Sequence, residues 1–580
     1  MRKAVRKAAQ GLESKTAKSP RKLLNGKLTV MVIFACYMLL NLYLMIRHNM
    51  WRDEVNVWLM GRDLTIPELF REIRYQGHPV LWYLVVMPFA KLHLPCKTMC
   101  VLSFAAMSAA AGIFLFKGPF PTAVKAAAVF SPIFTYYYAV IARGYCLVAL
   151  LIILLAFLYR IRNEKPLLYG GLLFLLVQAD TIGVPVAGMI SLMWLGQSLF
   201  RFKIPGKKAS ELKTSDSGTA DKMSSAKAEA AGTASDIQAA LKGLWLPLLS
   251  VALYLLEMKG AGEGSTAFEI RDYGLSDTII KCRDFAYYIP QRLFGLGRGA
   301  AFWIGAALVV FILILSFYAR SLWPLIVFGA VFAFQVIFSV IVYELNIWHF
   351  LTLCFVFIFM MWVCELPLGE RYTGKLTAQD AKQDVKQDAK QNTEQNIEQN
   401  TEQNTKRYLH GIGLYKGVRV LLSCLCFALC VLCLIRWFGD EGSGPENAFF
   451  GSYSDGAQAA RFLRQNVSEQ ELIVVNNIPY TTPIYAYADQ YLFRFAGNGR
   501  EVSYADWTED QCRQISFRDL LEQIRGEQPD RDSFIYIAAI DSFVTEEDDY
   551  LAEAELIYET TELSPQNENY RIYRVKLPDF

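Results

Sequence analysis

The stretch LTVMVIFACYMLLNLYLMI, residues 28–46, holds nineteen residues without one charged side chain. At about 1.5 Å per residue it crosses a hydrocarbon core of roughly 30 Å as a helix. Further apolar segments recur near 79–95, 98–116, 120–141, 144–159, 166–178, 183–200, 244–258, 300–319, 322–342, 347–366 and 418–437. Of the 580 residues, 53% are hydrophobic and only 19% charged, too apolar for a soluble chain of this length. Lipid offers no hydrogen-bond partners, so such segments fold as helices that satisfy their own backbone. The expected fold class is an all-α polytopic membrane bundle, residues 28–437, of about 11–13 transmembrane helices.

Charge sets the expected orientation. Residues 1–27 carry nine Lys/Arg against the single acid Glu13, which predicts a basic cytoplasmic N-terminus. The first apolar run exceeds a signal-peptide core and no small-residue cleavage site follows, so it reads as an uncleaved span. Basic clusters at 160–165, 201–208, 371–375 and 406–416 fall on the same side and put 259–298 and 438–580 outside. Counting every segment from 79 to 141 as a full crossing gives the wrong parity at Arg160. One of them is therefore expected to be short, broken or re-entrant, and the sequence leaves open which.

Residues 205–240 are rich in Ala, Ser, Lys and Gly, and 373–406 include the repeat QDAKQDVKQDAKQNTEQNIEQNTEQN. Neither holds enough apolar surface to offset chain ordering, and both read as disordered cytoplasmic loops. Most of the 12 cysteines lie in apolar runs. Cys424, Cys426, Cys430 and Cys433 have no His or acidic neighbours and read as small core residues. Cys282 and Cys512 are both expected outside, where they could pair. No P-loop, Rossmann glycine pattern or zinc-ligand spacing occurs in a suitable context, and the basic residues track the membrane, so nothing points to nucleic acid.

After residue 437 the chain changes character. Residues 438–580 carry 27 Asp/Glu against 11 Lys/Arg. DGAQAARFLRQN (455–466) has amphipathic helical spacing, whereas 472–477, 533–540 and 570–577 alternate as strands. This predicts a small exoplasmic C-terminal α/β domain.

The first exoplasmic loop, 47–78, is the most informative stretch. Thr65 and Glu68 form a capping box with Pro67 in the first turn, and Ile66, Leu69, Phe70 and Ile73 share one face. That predicts a helix lying in the membrane interface, ended by a left-handed Gly77. Before it stands RDE, residues 52–54, with an adjacent acid pair just beyond the first span.

RDE with a nearby Trp and GRD, the interfacial helix, and then GHPVLWYLVVMPFAKL resemble the GT-C superfamily of integral-membrane glycosyltransferases. They look closest to its protein O-mannosyltransferase and lipid A aminoarabinose transferase-like group. SPIFTYYYAVIARGYCLVALLIILLAFL (131–158) is similar to that family's aromatic-Ala-Arg-x-Tyr segment. ELNIWHFLTLCFVF (344–357) is similar to its late Arg-His segment, with Trp348 standing where the Arg is found. The resemblance covers roughly residues 28–365.

The resemblance implies transfer of a sugar from a polyprenyl-phosphate-type lipid donor to an exoplasmic acceptor, whether envelope glycan, lipid or protein, in the plasma membrane. It gives Asp53 the role of general base. Glu54 would support it or, with Asp53, orient a divalent cation such as Mg or Mn. Arg143 would bind the donor phosphate, since an Arg in an apolar stretch is expensive; the competing reading is an interfacial anchor. His349 and Tyr145 join it as phosphate-site candidates, although His349 would also serve as a helix cap. His78 and Arg292 are the substrate-binding candidates, although His78 would also serve as a helix N-cap. Arg292 lies in the basic, aromatic stretch of 259–298, where Lys281, Arg283 and Arg298 would also reach a phosphate; an interfacial helix anchored by Tyr287 and Tyr288 fits it equally.

Two other classes fit parts of the sequence. A transporter or flippase would use Asp53 and Arg143 on an ion or substrate, yet the acids stand at the membrane edge and no internal repeat is visible. A non-catalytic GT-C-like envelope protein would account for Trp348.

Overall fold

The computed structural model describes residues 20–199, 219–260, 273–294, 296–319, 321–373, scattered positions between 417 and 449, and 451–508, 515–540, 550–561 and 564–577. The chain is a helical, multi-pass membrane protein with a small C-terminal sheet domain. Among the described residues six helices are long and apolar enough to span a bilayer, and five apolar helices are shorter.

Helix α1 (Pro20–Arg47) carries the first span. Leu28, Met31, Leu39 and Ile46 point outward while Tyr37 and Leu44 are buried, as a helix at the edge of a bundle requires. Two short helices follow, α2 (Arg52–Asp63) and α3 (Ile66–Glu72), and a single 3₁₀ turn (Ile73–Gln76) ends at Gly77 with φ of 67°. In α3 the Glu68 carboxylate accepts from the Thr65 backbone N–H at 2.8 Å and from its hydroxyl at 2.7 Å. Leu69 and Ile73 turn inward, whereas Ile66 and Phe70 are exposed.

Helices α4 (Leu81–Lys91) and α5 (Thr98–Lys117) come next. The broken segment is 120–141. It begins as α6 (Thr122–Phe130), stops at Ser131-Pro132, and re-forms only as a π turn at Tyr136–Val140. Irregular backbone inside a bundle must find polar partners from neighbouring elements. Here the Tyr37 hydroxyl donates to the Phe134 carbonyl at 2.8 Å and Ser103 Oγ to the Tyr138 carbonyl at 3.1 Å. With Pro88 inside it, α4 is short as well, roughly 16 Å of helix.

Helices α7 (Tyr145–Leu158), α8 (Pro166–Ala179) and α9 (Gly183–Leu199) complete the first half. Helix α10 (Thr219–Glu257) departs from expectation: residues 219–240, read as part of a disordered loop, continue the span as helix. Their alanines have the highest helix propensity, and a formed span supplies the nucleus from which helix propagates. The repeat at 379–404 lies outside the described residues, as does Cys512. Helices α11 (Leu275–Phe294), α12 (Arg298–Ala319), α13 (Trp323–Ile341), the single turn α14 (Ile347–Phe350) and α15 (Thr352–Thr373) form the second half.

The C-terminal domain contains α16 (Gly456–Asn466), β1 (Ile473–Val475), α17 (Ile478–Tyr487), β2 (Phe493–Phe495), α18 (Phe517–Glu527), β3 (Ser533–Ala539), β4 (Glu555–Glu559) and β5 (Tyr570–Lys576). Its sheet has the order β2-β1-β3-β5-β4, with β1 parallel to β2 and β3, and β5 antiparallel to β3 and β4. Separate apolar clusters cover its two faces. Leu59 of α2 belongs to one of them, so the membrane-proximal helix is built into this domain's core.

Candidate active site

The acid pair lies in the first turn of α2, where carboxylates face the positive end of the helix dipole. Successive helical residues diverge by about 100°, and the two acids have different fates. Glu54 is fully buried. Its Oε2 lies 2.8 Å from His48 Nε2 and accepts from the Trp51 N–H at 3.1 Å, while Oε1 accepts from the Ala142 N–H at 2.5 Å. Its side chain ties the Trp51 and Ala142 backbones and the His48 ring together and offers little to a ligand. The Asp53 side chain stays 29% exposed.

Arg143 reaches Asp53 from the turn after the broken segment. Its NH1 donates to the Asp53 carbonyl at 2.9 Å and lies 3.1 Å from Oδ2 of the carboxylate. Its NH2 is 2.7 Å from His78 Nε2. A guanidinium is always a donor, so His78 accepts there and carries its proton on Nδ1. That atom faces Asp180 Oδ2 at 3.2 Å. Asp180 is buried at the end of α8, with its other oxygen accepting from the Ile182 N–H at 3.1 Å. Burial works against the Arg143 charge, and the Asp53 carboxylate 3.1 Å away compensates it.

His349 and Tyr145 meet on the far side of this group. The Asn346 N–H donates to His349 Nδ1 at 2.9 Å, which puts the ring proton on Nε2. Nε2 lies 3.0 Å from the Tyr145 hydroxyl, so Tyr145 accepts from His349 and its own O–H remains to donate. The helix-cap reading of His349 is thus realised through its ring, while its Nε2 faces the site. Arg143 lies 5.8 Å from the Tyr145 ring centre.

Asp53, Arg143, His78, Tyr145 and His349 therefore share one constellation, with Glu54 behind it as a strut. The side chain of Arg292 lies outside the described residues. Sequence reasoning missed Asp180, whose signal was a lone acid between two apolar runs. It also missed Tyr343, whose ring centre lies 6.1 Å from that of His349.

Two solved structures share the chain's course. Both are ArnT from Cupriavidus metallidurans, one in the apo state and one bound to undecaprenyl phosphate. Each is 10% identical with a TM-score of 0.48. The apo structure covers 95% of this chain and 97% of its own, the other 96% and 98%. No family model and no curated protein matches the sequence.

Two cavities share part of their lining. A polar one of about 950 Å³ is lined by Lys281, Arg283, Tyr288, Gln291, Arg298 and Glu344, the neighbour of Tyr343. An apolar one of about 400 Å³ is lined by residues such as Phe134, Leu293, Ile312, Phe332 and Phe357 within the bundle. Tyr287 and Phe302 line both, so a polar mouth with three cations and two acids, Asp284 and Glu344, adjoins a greasy chamber. Among the described residues no three His, Cys, Asp or Glu side chains converge as a metal site. Asp53 stands against Arg143 with Arg52 at 4.0 Å, and the Glu54 oxygens are taken. Two guanidiniums beside a single available carboxylate repel a cation, so the donor set does not fit Mg or Mn.

Proposed function

We propose that this protein is a membrane glycosyltransferase that moves a sugar from a polyprenyl-phosphate-type lipid donor to a hydroxyl-bearing acceptor on the exoplasmic side. The observation that carries this reading is a partly exposed carboxylate, Asp53, held against the Arg143 guanidinium, in a bundle that also holds a polar cavity with three cationic residues adjoining an apolar chamber. An amphiphile with a phosphate head and a hydrocarbon tail is the ligand class that satisfies both halves. The likeness of RDE, the aromatic-Ala-Arg-x-Tyr segment and the late His segment to the GT-C superfamily points the same way.

In this reading the donor chain lies along the apolar chamber and its phosphate meets Lys281, Arg283, Arg298 and the spare donors of Arg143. Arg143 makes three polar contacts, which leaves two of its five N–H groups. Asp53 takes the proton from the acceptor hydroxyl as its oxygen attacks the anomeric carbon. The sugar–phosphate bond breaks on the opposite face, and the leaving phosphate keeps the electron pair beside the guanidinium. One displacement inverts the anomeric centre. His349 and Tyr145 supply an oriented hydroxyl donor at the same wall.

Comparison of envelope glycans and glycolipids from cells with and without the protein, and with Asp53→Asn, tests the reading. An unchanged profile when the protein is expressed would overturn it. Arg143→Ala is expected to weaken undecaprenyl phosphate binding by about tenfold, the value of one or two charge-assisted hydrogen bonds. Arg143→Lys should lose less, because it keeps the charge without the planar fork. Equal, wild-type affinity of both variants would make Arg143 an anchor only.

The orientation follows from the basic N-terminus and places 438–580 outside the cell. Protease added to intact spheroplasts should therefore trim the C-terminal domain while leaving the bundle. Complete protection would put the site on the cytoplasmic face.

A further inference from the structure

The C-terminal domain grips the helix that carries Asp53 at several points. Helix α17 packs along α2. Asn56 accepts from the Ala505 N–H at 2.8 Å and donates to the Ala505 carbonyl at 2.9 Å. The Met50 N–H donates to the Tyr487 hydroxyl at 3.1 Å. At the very start of α2, Glu568 Oε1 accepts from the Arg52 backbone N–H at 2.9 Å and from its guanidinium at 3.3 Å.

We propose that Glu568 is a positioning residue, which fixes the first turn of α2 through Arg52 and so holds the Asp53 carboxylate in place beside Arg143. This rests on the reading of Asp53 as the proton acceptor. Glu568 is fully buried, and its loop is built to present it. The Glu568 N–H donates to Ser564 Oγ at 2.8 Å, the Ser564 N–H donates to Asn569 Oδ1 at 2.7 Å, and Asn567 takes a φ of 56°. Asn is among the few side chains that enter this left-handed region readily. The neighbouring Gln566 carbonyl accepts from Arg52 NH1 at 3.0 Å. Tyr480 of α17 lies 4.4 Å from the guanidinium and Trp51 lies 5.0 Å away. Arg52 NH1 is thus held by two acceptors and the guanidinium by two aromatic rings, and its Nε rests 4.0 Å from Asp53 Oδ1.

Asp53 thus sits between two guanidiniums. Arg143 belongs to the bundle and Arg52 is held by the C-terminal domain. Residue 52 is the first of α2 and 53 the second, so freeing Arg52 frays the turn that aims the carboxylate. A displacement of about 1 Å at a reacting group costs up to 10²-fold in rate.

The test uses the full-length protein in detergent, with Glu568→Ala, Glu568→Gln and Asp53→Asn. Amide hydrogen exchange is followed over residues 51–56 and over β3 as an internal reference. Undecaprenyl phosphate affinity is measured on the same samples, and the envelope product in complemented cells. In Glu568→Ala, exchange at 51–56 should rise tenfold or more against an unchanged β3, and product formation should fall about tenfold or more with affinity within twofold. Glu568→Gln, which keeps an acceptor but not the charge, should fall between and remains available if Glu568→Ala does not fold. Wild-type exchange at 51–56 and wild-type product in both Glu568 variants, beside a dead Asp53→Asn, would overturn the inference and leave the function standing. Normal product from Asp53→Asn would overturn the function itself, while the exchange data would still report on the clamp.

Discussion

Asp53→Asn is expected to abolish sugar transfer while leaving the protein inserted and folded. The amide is nearly isosteric, and its oxygen can still face Arg143 NH1, now 3.1 Å from the carboxylate. Partly exposed on one side, the position also gives a polar amide access to water. What the substitution removes is the capacity to take a proton at neutral pH. Loss of a general base typically costs about 10²–10⁴ in rate. The assay is transfer from a polyprenyl-phosphate-linked donor by purified protein, with thermal unfolding followed in parallel. A well-folded variant that turns over at the wild-type rate would remove Asp53 from the chemistry and leave RDE as a capped helix start.

The large features of the fold were legible because each followed from a local rule. Apolar run length located the spans, and the Thr65/Glu68 pair located α3 to the residue. Period-two runs located β1, β3 and β5, and the amphipathic repeat located α16. The parity conflict at Arg160 signalled an irregular segment but could not say which, because the break at Ser131-Pro132 is stabilised by Tyr37 and Ser103 from distant helices. Helix α2 was missed for a similar reason. Its Val55, Trp58 and Leu59 serve two cores, the bundle and the C-terminal domain, so no single apolar face marks it.

In the candidate site, the resemblance to the GT-C superfamily, together with the cost of an Arg in an apolar stretch, singled out Asp53, Arg143, His78, Tyr145 and His349. Asp180 and Glu568 escaped because their meaning depends on whom they touch. Asp180 is one acid after an apolar helix until His78 packs against it. Glu568 lies 516 residues from Arg52. Burial pushes its carboxyl up to about 7 even with Arg52 pulling the other way, an environment no sequence window contains.

Glu54 carries the second large effect, and it falls on stability rather than chemistry. Glu54→Ala should lower the melting temperature sharply and reduce the yield of folded protein. The carboxylate is fully buried and accepts from the Trp51 and Ala142 backbone N–H groups while facing His48. Truncation leaves two buried donors and an imidazole unpaired, and each buried polar group left without its partner costs about 1–3 kcal/mol. The loss is also topological, since the Ala142 contact joins α2 to the turn that delivers Arg143. Glu54→Gln should be milder. Its amide oxygen can replace one acceptor, but its NH₂ must then face a backbone N–H, donor against donor. Thermal melts in detergent and transfer rates normalised to folded protein separate the two roles. If Glu54 is a strut, the Gln variant melts early yet transfers at close to the wild-type rate per folded molecule. A Glu54→Ala protein that melts normally and transfers nothing would put this second acid in the reaction beside Asp53.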